Sequence, residues 1–160
     1  MKTLFDELIA SAVPERNITI NVVDCEPGLE IEADEKVLVS AVSNILQNAV
    51  KFTRQNGKIE IRAFREQPHG EHGDALLVIE VEDECGGLSS DIQEELFQPF
   101  VQRGQGQAPP SNRRRGLGLG LAITREAVER HDGKLSVRNR PEKGCVFAIR
   151  LPEKKKTNLQ

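Results

Sequence analysis

The sequence predicts an α+β fold in which helices accompany a mixed, mostly antiparallel sheet, and three observations lead there. Residues 34–53 carry apolar side chains at helical spacing. Residues 58–65 and 75–82 alternate apolar and polar residues on either side of a polar stretch, as the arms of a hairpin do. Residues 135–137 and 147–151 repeat that alternation around a turn at 141–144. A chain of 160 residues makes one domain that buries roughly two-thirds of its unfolded surface, and neither internal repeats nor a second domain are visible.

The elements follow in order. Leu4, Phe5, Leu8, Ile9 and Ala12 recur at helical spacing over residues 3–13, and Pro14 ends that helix. Residues 17–23 alternate, with Ile18, Ile20 and Val22 on one face of a half-buried strand; Glu26-Pro27-Gly28 is a turn, and 29–31 a short strand. Asp34 caps the long helix, because its carboxylate can accept from an unpaired N–H of the first turn. That helix buries Val37, Leu38, Ala41, Val42, Ile45, Leu46 and Ala49 and ends near Thr53, ahead of Asn56-Gly57. In the hairpin, Ile59, Ile61 and Ala63 alternate on one arm, and Leu77, Ile79 and Val81 share a face of the other. The tip, 67–74, holds His69 and His72 without a third metal ligand, so it is read as a polar loop. A short helix over 90–97, capped by Ser89 or Ser90, precedes residues 101–112, whose Gly, Gln, Pro and Arg lack periodicity and predict a mobile loop. A helix over 119–130 ends at Asp132-Gly133, two strands follow, and 154–160 form a charged tail.

Composition narrows the function. Hydrophobic residues at 38% and charged residues at 29% suit a globular protein, and the apolar runs are far too short to span a bilayer, so no membrane contact is expected of this domain. Nothing resembles a signal peptide, and Cys25, Cys85 and Cys145 form no Cys-x-x-Cys pair, which predicts a reducing, cytoplasmic setting without a zinc site or disulfide framework. In such a setting the glycosylation match at Asn17-Ile18-Thr19 is chance. A net charge of -3 with no Trp or Tyr argues against nucleic acid as a partner, although Arg113, Arg114 and Arg115 make a local positive patch.

Three segments carry chemistry. Residues 115–123 alternate Gly116, Gly118 and Gly120 with leucines and then turn into a helix, a backbone shaped to approach phosphate and to offer it the unpaired N–H groups of a helix N-terminus. The run fits neither the Rossmann fingerprint nor the P-loop. On the long helix, Asn44, Asn48 and Lys51 recur at spacings of four and three and so project from one side. An amide oxygen suits Mg²⁺, and an ammonium balances phosphate charge. Finally, an apolar strand runs into Asp83 and then Cys85-Gly86-Gly87, where a carboxylate at a buried strand end can accept from an exocyclic amine such as adenine's.

In this order the segments resemble the ATP-binding catalytic domain of sensor histidine kinases, in the superfamily that includes gyrase, the heat-shock chaperone ATPases and the mismatch-repair ATPases. Residues 44–53 are similar to the family's N box, 83–87 to its first glycine box, 96–100 to its F box and 116–120 to its second glycine box. The resemblance implies a Bergerat-type fold, a two-layer α/β sandwich whose sheet is covered on one face by helices. It implies ATP and Mg²⁺ as cofactors, with Asn48 on the metal, Asn44 and Lys51 on the phosphates and Phe52 near the nucleoside. It assigns Asp83 to the adenine amine, with Gly87 beside it, and Arg115, Gly116, Gly118, Leu119 and Gly120 to the phosphates. Residues 101–117 would be a lid over ATP within a catalytic domain of 14–153, and the helix of residues 1–13 would join an upstream dimerisation hairpin. The partners implied are that histidine-bearing domain and a downstream response regulator, with this part on the cytosolic side of a sensor that can be membrane-anchored.

Two departures from the family pattern stand out. Cys85 occupies the place of the family's first glycine, where a positive φ would cost a residue with a Cβ about 1 to 2 kcal/mol unless Gly86 takes the bend. A redox-sensitive thiol is the other reading of that cysteine. None of His69, His72 and His131 sits in a helix with an adjacent acidic residue as a phosphoacceptor would, so the acceptor is expected outside this chain. Asn44 stands where hydrolysing relatives carry a glutamate base, which disfavours hydrolysis; a regulatory nucleotide-binding module and an anti-sigma-type serine kinase remain as alternatives.

Overall fold

Period-two alternation gives each strand an apolar face, and the helices cover only that face. In the computed structural model, which describes residues 1–12, 17–30, 34–67, 75–88, 95–99 and 119–153, the strands are β1 (Thr19–Cys25), β2 (Lys58–Glu66), β3 (Leu76–Asp83), β4 (Lys134–Arg140) and β5 (Gly144–Pro152). The helices are α1 (Lys2–Ser11), α2 (Glu35–Phe52) and α3 (Gly120–Glu129). The sheet order is β1-β2-β3-β5-β4, with β1 parallel to β2 and every other pair antiparallel. This is the expected α+β sandwich. The parallel pair follows from connectivity, since α2 carries the chain from the end of β1 back to the start of β2.

Asp34 caps α2 as its sequence position requires, accepting from the Lys36 N–H at 2.9 Å. The helix buries Leu38, Ala41, Val42, Ile45, Leu46 and Ala49 against Ile59, Ile61 and Ala63 of β2, Leu77, Ile79 and Val81 of β3, and Phe147, Ile149 and Leu151 of β5. Phe5 and Leu8 of α1 and Val128 of α3 complete the same layer. The opposite face of the sheet is charged. Arg62 bridges Glu60 and Glu82, Arg140 also meets Glu82, and Arg150 meets Glu66, while Val78, Val146 and Ala148 are buried among the strands that carry these charges. At the far end, Arg65 clamps both Glu26 and Glu153, and the hydrogen bond it donates to the Glu153 carboxylate raises the guanidinium pKa above its usual value.

Two expectations are corrected. Residues 29 and 30 form no strand; Leu29 is nonetheless buried in the core, so its apolar character marked packing rather than pairing. The first strand runs two residues later than expected, because Asn17 takes a positive φ of 53° and a register shift between Val22 and Asp24 extends the pairing to Cys25. Of the expected helix over 90–97, only 95–97 are described, with Leu96 buried. The expected loop over 101–112 and the tail over 154–160 lie outside the described residues. Among the described residues, no helix is long and apolar enough to cross a membrane.

Candidate functional site

The site is built outward from the end of β3. Asp83 closes that strand, 2% exposed, in register between Ile59 of β2 and Cys145 of β5. A carboxylate at such a depth requires donors, and its Oδ1 accepts from the backbone N–H of Cys145 at 3.1 Å and of Cys85 at 3.2 Å. The close approach of β5 depends on Gly144, where an added Cβ would lie 1.7 Å from the Asp83 carbonyl oxygen.

Beyond Asp83 the chain bends through Gly86 and Gly87, whose φ values of 88° and 94° lie in the left-handed region. Cys85 is not among the positive-φ residues, so the strain expected at that position does not arise: the glycine that follows takes the bend. Gly86 donates its N–H to the Lys143 carbonyl at 3.1 Å. The Asn139 amide then grips Leu88 from both sides, accepting from its N–H at 2.8 Å and donating to its carbonyl at 2.7 Å.

The C-terminal half of α2 arrives at the same end of the sheet. Arg54, just past the helix, donates its N–H to the Glu84 carbonyl at 3.2 Å, while the Glu84 carboxylate receives the Lys58 N–H at 3.0 Å and lies 3.3 Å from the Arg54 guanidinium. That stitching sets the helix terminus beside the Asp83 turn. Along the C-terminal half of the helix, Asn44, Asn48 and Lys51 are half-buried. The Asn48 Nδ2 donates to the Asn44 carbonyl at 3.0 Å, and the Asn44 Nδ2 donates to the Thr124 Oγ1 at 3.1 Å. Lys51 places its Nζ 5.1 Å from the centroid of the Phe52 ring. Thr124 is buried on α3, the helix that Leu119 and Gly120 begin, so the Asn44 contact docks that helix against α2. Phe97 packs under the Arg125 guanidinium at 5.8 Å and joins the F-box segment to the same helix.

Residues 33–155 match the family described as histidine kinase-, DNA gyrase B-, and HSP90-like ATPase. The chain belongs to that family. It is 31% identical to the sensor protein KdpD of Clostridium acetobutylicum over 155 residues, 94% of this chain and 16% of the relative. It is 36% identical to the autoinducer 2 sensor kinase/phosphatase LuxQ of Vibrio parahaemolyticus over 126 residues, 79% of this chain and 14% of the relative. Among solved structures it resembles the mycobacterial sensor histidine kinase MprB, with a TM-score of 0.75 and 27% identity over 98% of this chain and 96% of that one. It also resembles full-length ShkA in complex with AMPPNP, with a TM-score of 0.76 and 26% identity over 97% of this chain and 30% of that one. Within the family it is therefore an ATP-binding catalytic domain of the histidine kinase type, and it spans about 14–16% of the length of these curated relatives.

In this histidine kinase-type ATPase domain, Asn44, Asn48, Lys51 and Phe52 lie along the C-terminal half of α2, Asp83 at the end of β3 with Gly87 in the turn beyond it, and Leu119 and Gly120 at the start of the helix that Asn44 docks. Arg115, Gly116, Gly118 and the expected lid over 101–117 lie outside the described residues. Asn139, Thr124, Glu84 and Gly144 were missed by sequence reasoning as parts of the site. Each acts through a contact distant in sequence, and only Gly144 left a trace, as a turn glycine. A separate cavity of about 470 Å³ lies between α1 and α2, lined by Leu4, Leu8 and Val39 among others and reaching Asn44; Asn48, Lys51, Asp83 and Gly87 do not line it.

Proposed function

We propose that the domain binds Mg·ATP at this end of the sheet and donates the γ-phosphoryl group to a histidine on a separate dimerisation domain of its parent protein. A response regulator would then receive the group. Asp83 accepts from the adenine amine, the Gly86-Gly87 turn lets the base approach the backbone, and Phe52 packs against the nucleoside. Lys51 and Asn44 meet the phosphates, and Arg115, Gly116, Gly118, Leu119 and Gly120 close over them, the last two offering N–H groups at the start of α3. The single observation that supports the reading is the stitching of Arg54 and Lys58 to Glu84, which sets the C-terminus of α2 beside the turn that follows Asp83.

Asn48 suits the metal. Its Nδ2 is committed to the Asn44 carbonyl, which fixes the amide and leaves Oδ1, a hard neutral oxygen with no hydrogen-bond partner among the described residues, as the outward group. Mg²⁺ takes one or two such protein oxygens and completes its shell with water and phosphate. When bound it would offset the charge shared by the phosphates; the chain's own groups bind and orient the nucleotide, which is most of what phosphoryl transfer asks of a protein. Residues 14–153 form the catalytic domain in this reading, 101–117 its lid, 154–160 a charged tail, and the helix of residues 1–13 joins the dimerisation domain, all on the cytoplasmic side of a sensor.

The test is phosphotransfer. Incubated with γ-labelled ATP, Mg²⁺ and a helical hairpin carrying the acceptor histidine from the parent protein, the domain should yield an acid-labile, base-stable phosphohistidine. An acid-stable phosphoserine on a partner would instead favour the anti-sigma-type kinase, and no transfer with nucleotide bound would favour a regulatory module.

A further inference from the structure

Two cysteines flank the Asp83 carboxylate, and their contact is not used by the phosphoryl chemistry. Cys85 and Cys145 are separated by 60 positions in sequence, yet their sulfurs lie 2.8 Å apart. The backbone N–H groups of the same two residues are the donors to Asp83 Oδ1. Cys145 is fully buried on β5, whereas Cys85 is half-buried on the turn, so one thiol can meet a solute and the other can resolve what forms. Asp83, Cys85 and Cys145 also bring three potential metal-ligating atoms within 4.8 Å of one another. Two thiolates on a tetrahedral zinc at about 2.3 Å would stand roughly 3.8 Å apart, so a shared zinc would have to push these sulfurs about 1 Å further apart, whereas a disulfide at about 2.0 Å needs them only to close.

We propose that Cys85 and Cys145 form a reversible dithiol–disulfide pair, and that closing it holds the Asp83 carboxylate in place. The second half rests on the nucleotide reading above. The oxidant is a low-molecular-weight disulfide such as oxidised glutathione. The Cys85 thiolate attacks one of its sulfurs and expels a glutathione thiolate; the Cys145 thiolate then attacks the Cys85 sulfur of the mixed disulfide and expels the second. Two electrons pass to the small disulfide, and the two cysteine protons end on the two glutathione thiols. The new bond ties the turn after β3 to β5, on either side of the carboxylate that both residues already hold. Part of the ordering of that turn on nucleotide binding is then complete beforehand, which favours binding. Reversible intracellular disulfides are commonly of this sensing kind.

The full chain is equilibrated with glutathione buffers, alkylated, mapped by mass spectrometry, and titrated with an unhydrolysable ATP analogue in both redox states. The oxidised chain should alkylate at Cys25 alone, yield a Cys85–Cys145 cross-linked peptide that dithiothreitol removes, and bind the analogue about threefold more tightly. Cys25→Ser should leave all of this unchanged, while Cys85→Ser should abolish the cross-link and the redox dependence of binding. Alkylation of all three thiols after oxidation, a glutathione adduct retained on Cys85, or a bridge through Cys25 would overturn the pair. A cross-link with equal affinities in the two states would overturn the coupling. A cross-link with no analogue bound in either state would overturn the nucleotide reading, and the coupling with it, while the disulfide stands.

Discussion

Asn139 of β4 and Leu88 beyond the glycine turn are joined by a two-point amide contact, one bond of 2.8 Å into the Asn139 Oδ1 and one of 2.7 Å from its Nδ2. The pair replaces the strand ladder that the chain leaves at Asp83, and it fixes where Gly86 and Gly87 lie. Asn139→Ala should therefore reduce stability by about 1–2 kcal/mol and weaken an ATP analogue about tenfold. Asn139→Asp, which keeps only the accepting half, should fall between. Urea unfolding with calorimetric titration measures both effects.

Gly144 is the narrowest point of the site. A methyl group there would overlap the Asp83 carbonyl, so β5 must move away from β3 or the pair must part. Gly144→Ala should be destabilising by about 3 kcal/mol or more, since overpacking against backbone has no side chain to yield. Thermal unfolding monitored by circular dichroism reads this directly, and a variant as stable as the parent would show that β5 does not approach Asp83 so closely.

The contact between Asn44 and Thr124 links the amide face of α2 to the helix that follows the second glycine box. Thr124→Val keeps the shape and removes the acceptor, leaving the Asn44 amide without that bond. A loss of about 1 kcal/mol in stability is expected. Nucleotide affinity should fall as well, because the N-terminus of α3 would no longer be held against the Asn44 and Asn48 side.

Much of this was legible in the sequence, for reasons that differ by element. The stripe of α2 and its Asp34 cap are local signals, and they return except at Val37, which stands in the first turn of the helix and is only partly buried. Asn56 and Asp132 take the positive φ that their Asn-Gly and Asp-Gly dipeptides advertise. The strand order is non-local, however: β5 lies between β3 and β4, and its central position rests on long-range pairing that alternation cannot specify. The Asn-x-x-x-Asn-x-x-Lys face was readable because it repeats with the helix, whereas Asn139 was not, because one asparagine in a half-exposed strand carries no period. Leu29 was misread for a related reason, since a short apolar run signals burial without saying whether it pairs.

Gly86 and Gly87 share a positive φ but differ in surroundings. A Cβ at Gly86 meets nothing within 4 Å, whereas one at Gly87 would lie 3.2 Å from the Asn139 Oδ1 and 3.3 Å from the Arg140 carbonyl. Gly86→Ala should lose about 1–2 kcal/mol from backbone strain alone, and Gly87→Ala more, with the Asn139 clamp displaced. Equal losses at the two positions, measured by denaturant unfolding, would contradict the crowding at Gly87.

Asp83 and Asn48 are proposed to serve one nucleotide site, and calorimetric titration with an unhydrolysable ATP analogue, with and without Mg²⁺, tests this most directly. The unmodified domain should bind in the micromolar range, about -7 to -8 kcal/mol. Asp83→Asn should bind far more weakly under both conditions, because its amide presents a donor where the base's amine also donates. Asn48→Ala should retain binding but lose its dependence on Mg²⁺. Absence of detectable binding by the unmodified domain, or an Asn48→Ala variant with full Mg²⁺ dependence, would contradict the account.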